Sequence, residues 1–317
     1  MPYFSISGGI PLSGCCRIHG AKNAVLPILA AAVLTRKPVR LLDVPELTDV
    51  SNMCKILRLL GCRVAREGAA LLIDGADADC FALPEDLSKE LRSSIFLLGP
   101  VLGRFRQAVV TYPGGCEIGN RPIDLHLKGL SALQAQIVEE GGRIRCDGGS
   151  LTGATIHLDY PSVGATENIM MAATAADGET VIKNAAREPE IVDLQSFLNA
   201  AGFSVRGAGS STVVIRGGCE PREVSFRIMP DRIVTGTVLA AAAITGGSVT
   251  VENVCPEHLS GTLAKLEEAG CALTLYDRAI RLAAPDRLHA ISRLETMPHP
   301  GFPTDMQSQF TALCAAA

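Results

Sequence analysis

The 317 residues carry 29 lysines and arginines against 33 acids, a formal charge of −4, with 47% hydrophobic and 20% charged residues. That balance suits a globular protein of about two domains and excludes a disordered chain. The mild acidity argues against a nucleic-acid binder, and aromatics at 4% with no tryptophan leave little to stack single-stranded bases on.

In chain order, residues 23–33 form the first apolar helix, interrupted only by Pro27. The apolar stretch 24–34 is shorter than the ~20 residues that cross a bilayer, and it follows a Gly-rich polar segment unlike a signal peptide. The chain therefore reads as cytoplasmic, with no membrane insertion. A unit follows from Val39: a β-branched strand, an Asp-Val turn, an amphipathic helix that stops at Gly61, and a second strand. A second apolar helix covers 93–102. Its unit is looser, running from Ala108-Val-Val-Thr through a long loop to a helix from Ile123 and on to Gly142-Arg-Ile. Apolar helices at 168–176 and 233–243 precede units at 181–205 and 249–273.

The helix-ending glycines are assigned to 61, 142, 202 and 270, spacings of 81, 60 and 68 that imply a repeat of about 70 residues. Helices apolar on every side are buried helices, so each unit has one inner helix, one amphipathic outer helix and strands around them. This is an α/β architecture with its helices inside. A fifth inner helix begins at Thr304-Asp-Met-Gln and runs to Ala317; since a repeat array does not normally stop inside a buried helix, at least one further outer unit is expected.

Eleven scattered cysteines include no Cys-x-x-Cys, which offers neither a zinc site nor a redox motif; most are expected to be small buried hydrophobes. Cys116 differs, lying in a stretch with three Gly and two Pro between residues 112 and 122, the composition of a loop that can close over a ligand. Arg121 lowers a neighbouring thiol pKa while Glu117 opposes it. Lys22 opens the first inner helix, where a cation opposes the macrodipole unless an anion sits there too. Ser162 stands where an N-cap belongs. Thr304 and Gln307 have capping-box spacing, with Asp305 as a first-turn acid. His126 is assigned no role, and Glu188 and Glu190 are accounted for as residues of a helix start.

Five stretches together resemble one family: Gly20-Ala-Lys-Asn-Ala-Val-Leu-Pro, Pro113-Gly-Gly-Cys-Glu-Ile-Gly-Asn-Arg-Pro-Ile-Asp-Leu-His, Ser162-Val-Gly-Ala-Thr, Ala186-Arg-Glu-Pro-Glu-Ile-Val-Asp and Gly301-Phe-Pro-Thr-Asp-Met-Gln. The family is UDP-N-acetylglucosamine 1-carboxyvinyltransferase, within the EPSP synthase-like superfamily. The resemblance implies a two-domain inside-out α/β barrel fold, three units to each domain, so about a quarter of the family length lies outside these 317 residues. It puts the first domain at 22–228 and joins 1–21 to 229–317 as an incomplete second, with the active site between them. It implies transfer of the enolpyruvyl group of phosphoenolpyruvate to the sugar 3-hydroxyl of UDP-N-acetylglucosamine, with phosphate released. This is the first committed step of peptidoglycan synthesis, and so of cell wall biogenesis, cell shape and cell division. It implies no metal and no cofactor.

By the same resemblance, Lys22 and Asn23 contact phosphoenolpyruvate, and Lys22 is catalytic together with Cys116 and Asp305. Cys116 is the general acid that protonates the methylene carbon and the thiol that forms a pyruvate adduct. Arg92 and Arg121 bind ligand anions. Arg121, Pro122, Ile123, Asp124 and Leu125 lie against the uridine nucleotide, as do Ser162, Val163 and Gly164. Asp305 is the base for the sugar hydroxyl. Two other readings stay open: an enolpyruvyl transferase using shikimate 3-phosphate, and a shortened homologue that binds the nucleotide without catalysis. Because part of the family length lies outside it, the 317-residue chain alone is expected to be unstable or inactive.

Overall fold

The computed structural model describes residues 3–83, 85–90, 92–112 and 123–317, and only the backbone of 89, 90 and 92. Strand β1 (Ser13–Arg17) leads into α1 (Lys22–Thr35), β2 (Val39–Leu42), α2 (Thr48–Leu59), β3 (Arg63–Glu67) and β4 (Ala70–Asp74). Then come α3 (Glu85–Glu90), a 3-10 turn (Arg92–Leu97), α4 (Leu98–Phe105), β5 (Gln107–Thr111), α5 (Asp124–Ala132), β6 (Gln136–Glu140) and β7 (Arg143–Asp147). The third run is β8 (Thr155–His157), α6 (Val163–Ala173), β9 (Glu179–Lys183), α7 (Pro189–Ala200), β10 (Ser204–Arg206) and β11 (Thr212–Arg216). The fourth is β12 (Val224–Arg227), α8 (Arg232–Ile244), β13 (Ser248–Glu252), a 3-10 turn (Pro256–Leu259), α9 (Ser260–Glu268), β14 (Ala272–Leu275) and β15 (Ala279–Ala283). A 3-10 turn (Thr304–Met306) precedes α10 (Gln307–Ala316).

The repeat is structural. In each copy a strand, a helix and a hairpin follow an inner helix, and the first strand pairs antiparallel with the last: β2 with β4, β5 with β7, β9 with β11, β13 with β15. A further strand joins three of these sheets in parallel, β12 on β2, β8 on β9 and β1 on β13. The fourth has a single parallel bridge at Ala82–Val109 in its place.

The chain divides into two compact units, Lys22–Met229 and Met1–Ala21 with Pro230–Ala317. Met229, one residue beyond the expected boundary, belongs to the larger unit, where its N–H donates to Asp193 on α7 at 3.2 Å. The larger unit holds three of the repeats, with α1, α4 and α6 packed on one another at its centre. Residues 24–35 of α1 and 165–173 of α6 are buried without interruption. The smaller unit holds one repeat, with α8 and α10 packed together over Phe302, Met306, Phe310 and Leu313. The strands leading into α1 and α8 are exchanged: β1 belongs to the smaller unit's sheet and β12 to the larger unit's. Within the smaller unit the two connecting stretches run side by side, with a bridge from Gly20 to Pro230 and Asp231 N–H donating to the His19 carbonyl at 3.0 Å.

Four expectations are corrected. Gly142 does not stop a helix; it shares the β6–β7 hairpin turn with Gly141, both at positive φ. Helix α5 stops at Gln134, left-handed at φ 72°, so the stops fall at 61, 134, 202 and 270 with spacings of 73, 68 and 68. The second apolar helix is not continuous, because Pro100 in the first turn of α4 has no N–H for the turn before it, which tightens to 3-10. No capping box forms at Thr304: residues 304–306 close a 3-10 turn, and neither it nor α10 receives a side-chain cap bond. Of the ten described cysteines only Cys54, Cys62, Cys146 and Cys271 are buried; Cys15 and Cys16 lie on a strand exposed along its whole length, and α10 turns Cys314 outward.

Candidate functional site

The residues expected to meet a ligand are carried on helix beginnings. Lys22 and Asn23 open α1, whose first turn contains no acid. Pro27 withholds the N–H that would close on the Asn23 carbonyl, which loosens that turn. The Lys22 ammonium is about half exposed and lies 3.3 Å from the Asp49 carboxylate on α2.

Ser162 caps α6. Its hydroxyl accepts from Ala165 N–H at 3.3 Å, and its carbonyl accepts from Thr166 N–H at 3.0 Å and from the Thr166 hydroxyl at 2.8 Å. Val163 and Gly164 make the first turn, half-buried, with its N–H groups pointing out of the helix end. Ile123 is the residue before α5, buried, with Asp124 exposed and Leu125 half-buried behind it. These two helix starts meet. A Cβ placed on Gly164 would lie 3.0 Å from His126 Cε1 on α5 and 3.2 Å from Phe96 Cε1 in the Arg92–Leu97 turn, so only glycine lets the three segments approach this closely.

Behind that junction Asn168 ties the same segments together. Its Oδ1 accepts from Gly99 N–H at 2.7 Å, and its Nδ2 donates to the Ile95 carbonyl at 2.8 Å and lies 2.7 Å from His126 Nδ1. One residue earlier, Glu167 is buried with both carboxylate oxygens lacking a hydrogen-bond partner among the described residues. Burial raises its pKa well above the usual range, and Glu190 and Glu188 raise it further. Asp193 is pushed up to about 7, by burial and then by Glu190, with the Met229 N–H pulling the other way.

The EPSP synthase (3-phosphoshikimate 1-carboxyvinyltransferase) family profile matches residues 6–317. A curated relative from Caldanaerobacter subterraneus subsp. tengcongensis, UDP-N-acetylglucosamine 1-carboxyvinyltransferase 2, is 48% identical over the whole chain, which spans 76% of that relative. A second, UDP-N-acetylglucosamine 1-carboxyvinyltransferase from Gloeobacter violaceus, is 49% identical over the whole chain, which spans 69% of it. The chain belongs to the EPSP synthase family of enolpyruvyl transferases. The crystal structure of the enolpyruvyl transferase NikO from Streptomyces tendae superimposes with a TM-score of 0.86 at 22% identity, over 98% of this chain and 74% of that one. That likeness bears out the expected fold, helices inside and repeated units around them.

Within this enolpyruvyl transferase the structure brings Ile123, Asp124 and Leu125 together with Ser162, Val163 and Gly164, through His126. Lys22 and Asn23 stand at the start of α1 in the same unit. Arg92 opens a 3-10 turn, described by its backbone. Asp305 is exposed in the smaller unit, in the turn before α10. Cys116, Arg121 and Pro122 lie outside the described residues. Among the described residues no group of three or more His, Cys, Asp or Glu is arranged to hold a metal ion, and no helix is long and apolar enough to cross a membrane.

Sequence reasoning missed Glu167, Asn168 and the junction role of His126. The signal was present: Glu167-Asn168 are two polar residues entering a run of Ile-Met-Met-Ala-Ala, and a buried polar group needs a partner from somewhere.

Proposed function

We propose that this enolpyruvyl transferase moves the enolpyruvyl group of phosphoenolpyruvate to the 3-hydroxyl of UDP-N-acetylglucosamine, the first committed step of peptidoglycan synthesis. The observation that carries the acceptor is the identity of 48–49%, over the whole chain, with relatives bearing that activity in their names. The sugar oxygen adds to C2 of phosphoenolpyruvate as a proton is delivered to the methylene carbon. Loss of a proton from that carbon then restores the double bond and expels inorganic phosphate. The net change is phosphoenolpyruvate plus alcohol to enol ether plus phosphate, balanced without metal or redox cofactor.

Both substrates are polyanions, so a mildly acidic chain must offer positive charge and N–H donors locally. In this reading Lys22 and Asn23 receive phosphoenolpyruvate, with Arg92 and Arg121 as further anion ligands. The nucleotide lies along Arg121, Pro122, Ile123, Asp124 and Leu125 and against Ser162, Val163 and Gly164, where the bare N–H groups of α6 favour phosphate oxygens. Cys116 is the general acid and the thiol that carries the pyruvate adduct; Asp305 is the base for the sugar hydroxyl. The enzyme works in the cytoplasm on small-molecule substrates.

The test, on protein of the full family length, is phosphate release with each substrate alone and with both. Release that needs both and disappears in Cys116→Ser supports the reading. Release with shikimate 3-phosphate in place of the nucleotide would move the acceptor to the other branch of the family, and nucleotide binding without release would favour a non-catalytic binder.

A further inference from the structure

The three hydrogen bonds of Asn168 assign both ends of its amide. Gly99 N–H can only donate, so the atom receiving it at 2.7 Å is oxygen. The Ile95 carbonyl can only accept, so the atom 2.8 Å from it is the amide nitrogen, and that same nitrogen lies 2.7 Å from His126 Nδ1. With both amide protons on that nitrogen, His126 Nδ1 accepts, and the neutral ring carries its proton on Nε2. The orientation is fixed as well as the tautomer, because Asn168 is fully buried and each of its partners belongs to a different segment: the Arg92–Leu97 turn, α4 and α5. The Nε2 edge of the ring faces the first turn of α6, 3.3 Å from where a Gly164 Cβ would stand.

We propose that Asn168 is a positioning residue that holds His126 as the Nε2–H tautomer, so that the ring adds a fixed donor to the N–H groups at the start of α6, where an oxygen of the nucleotide binds. The amide is suited to this in a way its acid is not. A carboxylate at the same place has no proton to give to Nδ1; it accepts from Nδ1–H, which moves the ring proton away from Nε2 in the neutral form. The ligand half of the proposal rests on the nucleotide site proposed above, and the tautomer half stands without it.

The experiment has two arms. In imidazole nitrogen NMR of the ligand-free protein, at a pH where the ring is neutral, His126 shows the Nε2–H pattern, and Asn168→Asp shifts it to Nδ1–H. In titrations with uridine diphosphate, Asn168→Asp and His126→Phe each raise Kd by about tenfold, the factor for one lost buried hydrogen bond. In the double variant, Asn168→Asp adds nothing to the loss already caused by His126→Phe, because it acts through the ring. A purely structural tie between helices would give additive losses instead, and that result overturns the proposal. So does an Nδ1–H tautomer in the wild type, which can be read even if a variant folds poorly. If the tautomer holds but the wild type does not bind uridine diphosphate, the nucleotide site itself is wrong, and the ligand half falls with it.

Discussion

Glu167 stands in the middle of a buried helix with two oxygens that meet no hydrogen-bond donor among the described residues, an environment that favours the neutral acid in the folded protein. Its folded pKa lies above the unfolded value of about 4.3. The folded state therefore keeps a proton that the unfolded chain releases as pH rises past that value, and stability declines with rising pH from there up to the folded pKa. Asp193, pushed up to about 7, adds to the decline in the same direction, between its unfolded value near 4 and about 7. Glu167→Gln keeps the shape and removes the titration. Its melting temperature is expected to exceed that of the wild type at pH 8 and to match it near pH 4; calorimetry at the two values checks this, and equal melting points at both would mean Glu167 is ionised in the folded state.

At the scale of elements, the four outer helices end in one motif. The second residue after the helix sends its N–H back three positions, and the next sends its N–H back five: Gly61 and Cys62, Gln134 and Ala135, Gly202 and Phe203, Gly270 and Cys271. In every copy the five-back acceptor is a buried leucine, Leu57, Leu130, Leu198 or Leu266, and the buried residue donating to it packs in the same core. Gln134 is the departure, a non-glycine at φ 72° with its side chain exposed. Gln134→Gly is expected to stabilise the protein by up to about 1 kcal/mol in urea unfolding, the usual left-handed penalty less the added chain entropy. Leu198→Ala in the same motif should cost about 2–5 kcal/mol. The helices are just as specific where they touch, inner on inner and outer on inner. A Cβ on Gly99 would meet the Asn168 backbone oxygen at 2.3 Å, whereas one on Gly129 would meet the tip of the Ile169 side chain at 2.1 Å. A side-chain tip can turn and a helix backbone cannot, so Gly99→Ala should lower the melting temperature more than Gly129→Ala.

On the scale of the whole molecule, the two units differ in how far their inner helices are enclosed. Three surround one another in the larger unit, while α10 buries only Phe310 and Leu313 along its length. Local opening follows buried contact, so hydrogen exchange of this 317-residue chain is expected to release the α10 amides well before those of α1 or α6. Equal protection would mean that the smaller unit opens only with global unfolding.

The repeat, the inner helices and the family motifs were legible in the sequence because each is local: a strand, a periodic apolar stripe, a glycine stop, a run of five or more matched residues. The misreadings came where a local signal was absent or borrowed. Gln134 makes a left-handed stop without a glycine, and Gly142 makes a hairpin that resembles one. Tertiary structure alone decided that β1 joins β13 and β12 joins β2, since parallel pairing between distant strands leaves no trace in either. It alone decided the states of Glu167 and His126 too. A buried proton is set by whatever polar groups other segments bring to it, and no window of sequence contains those neighbours.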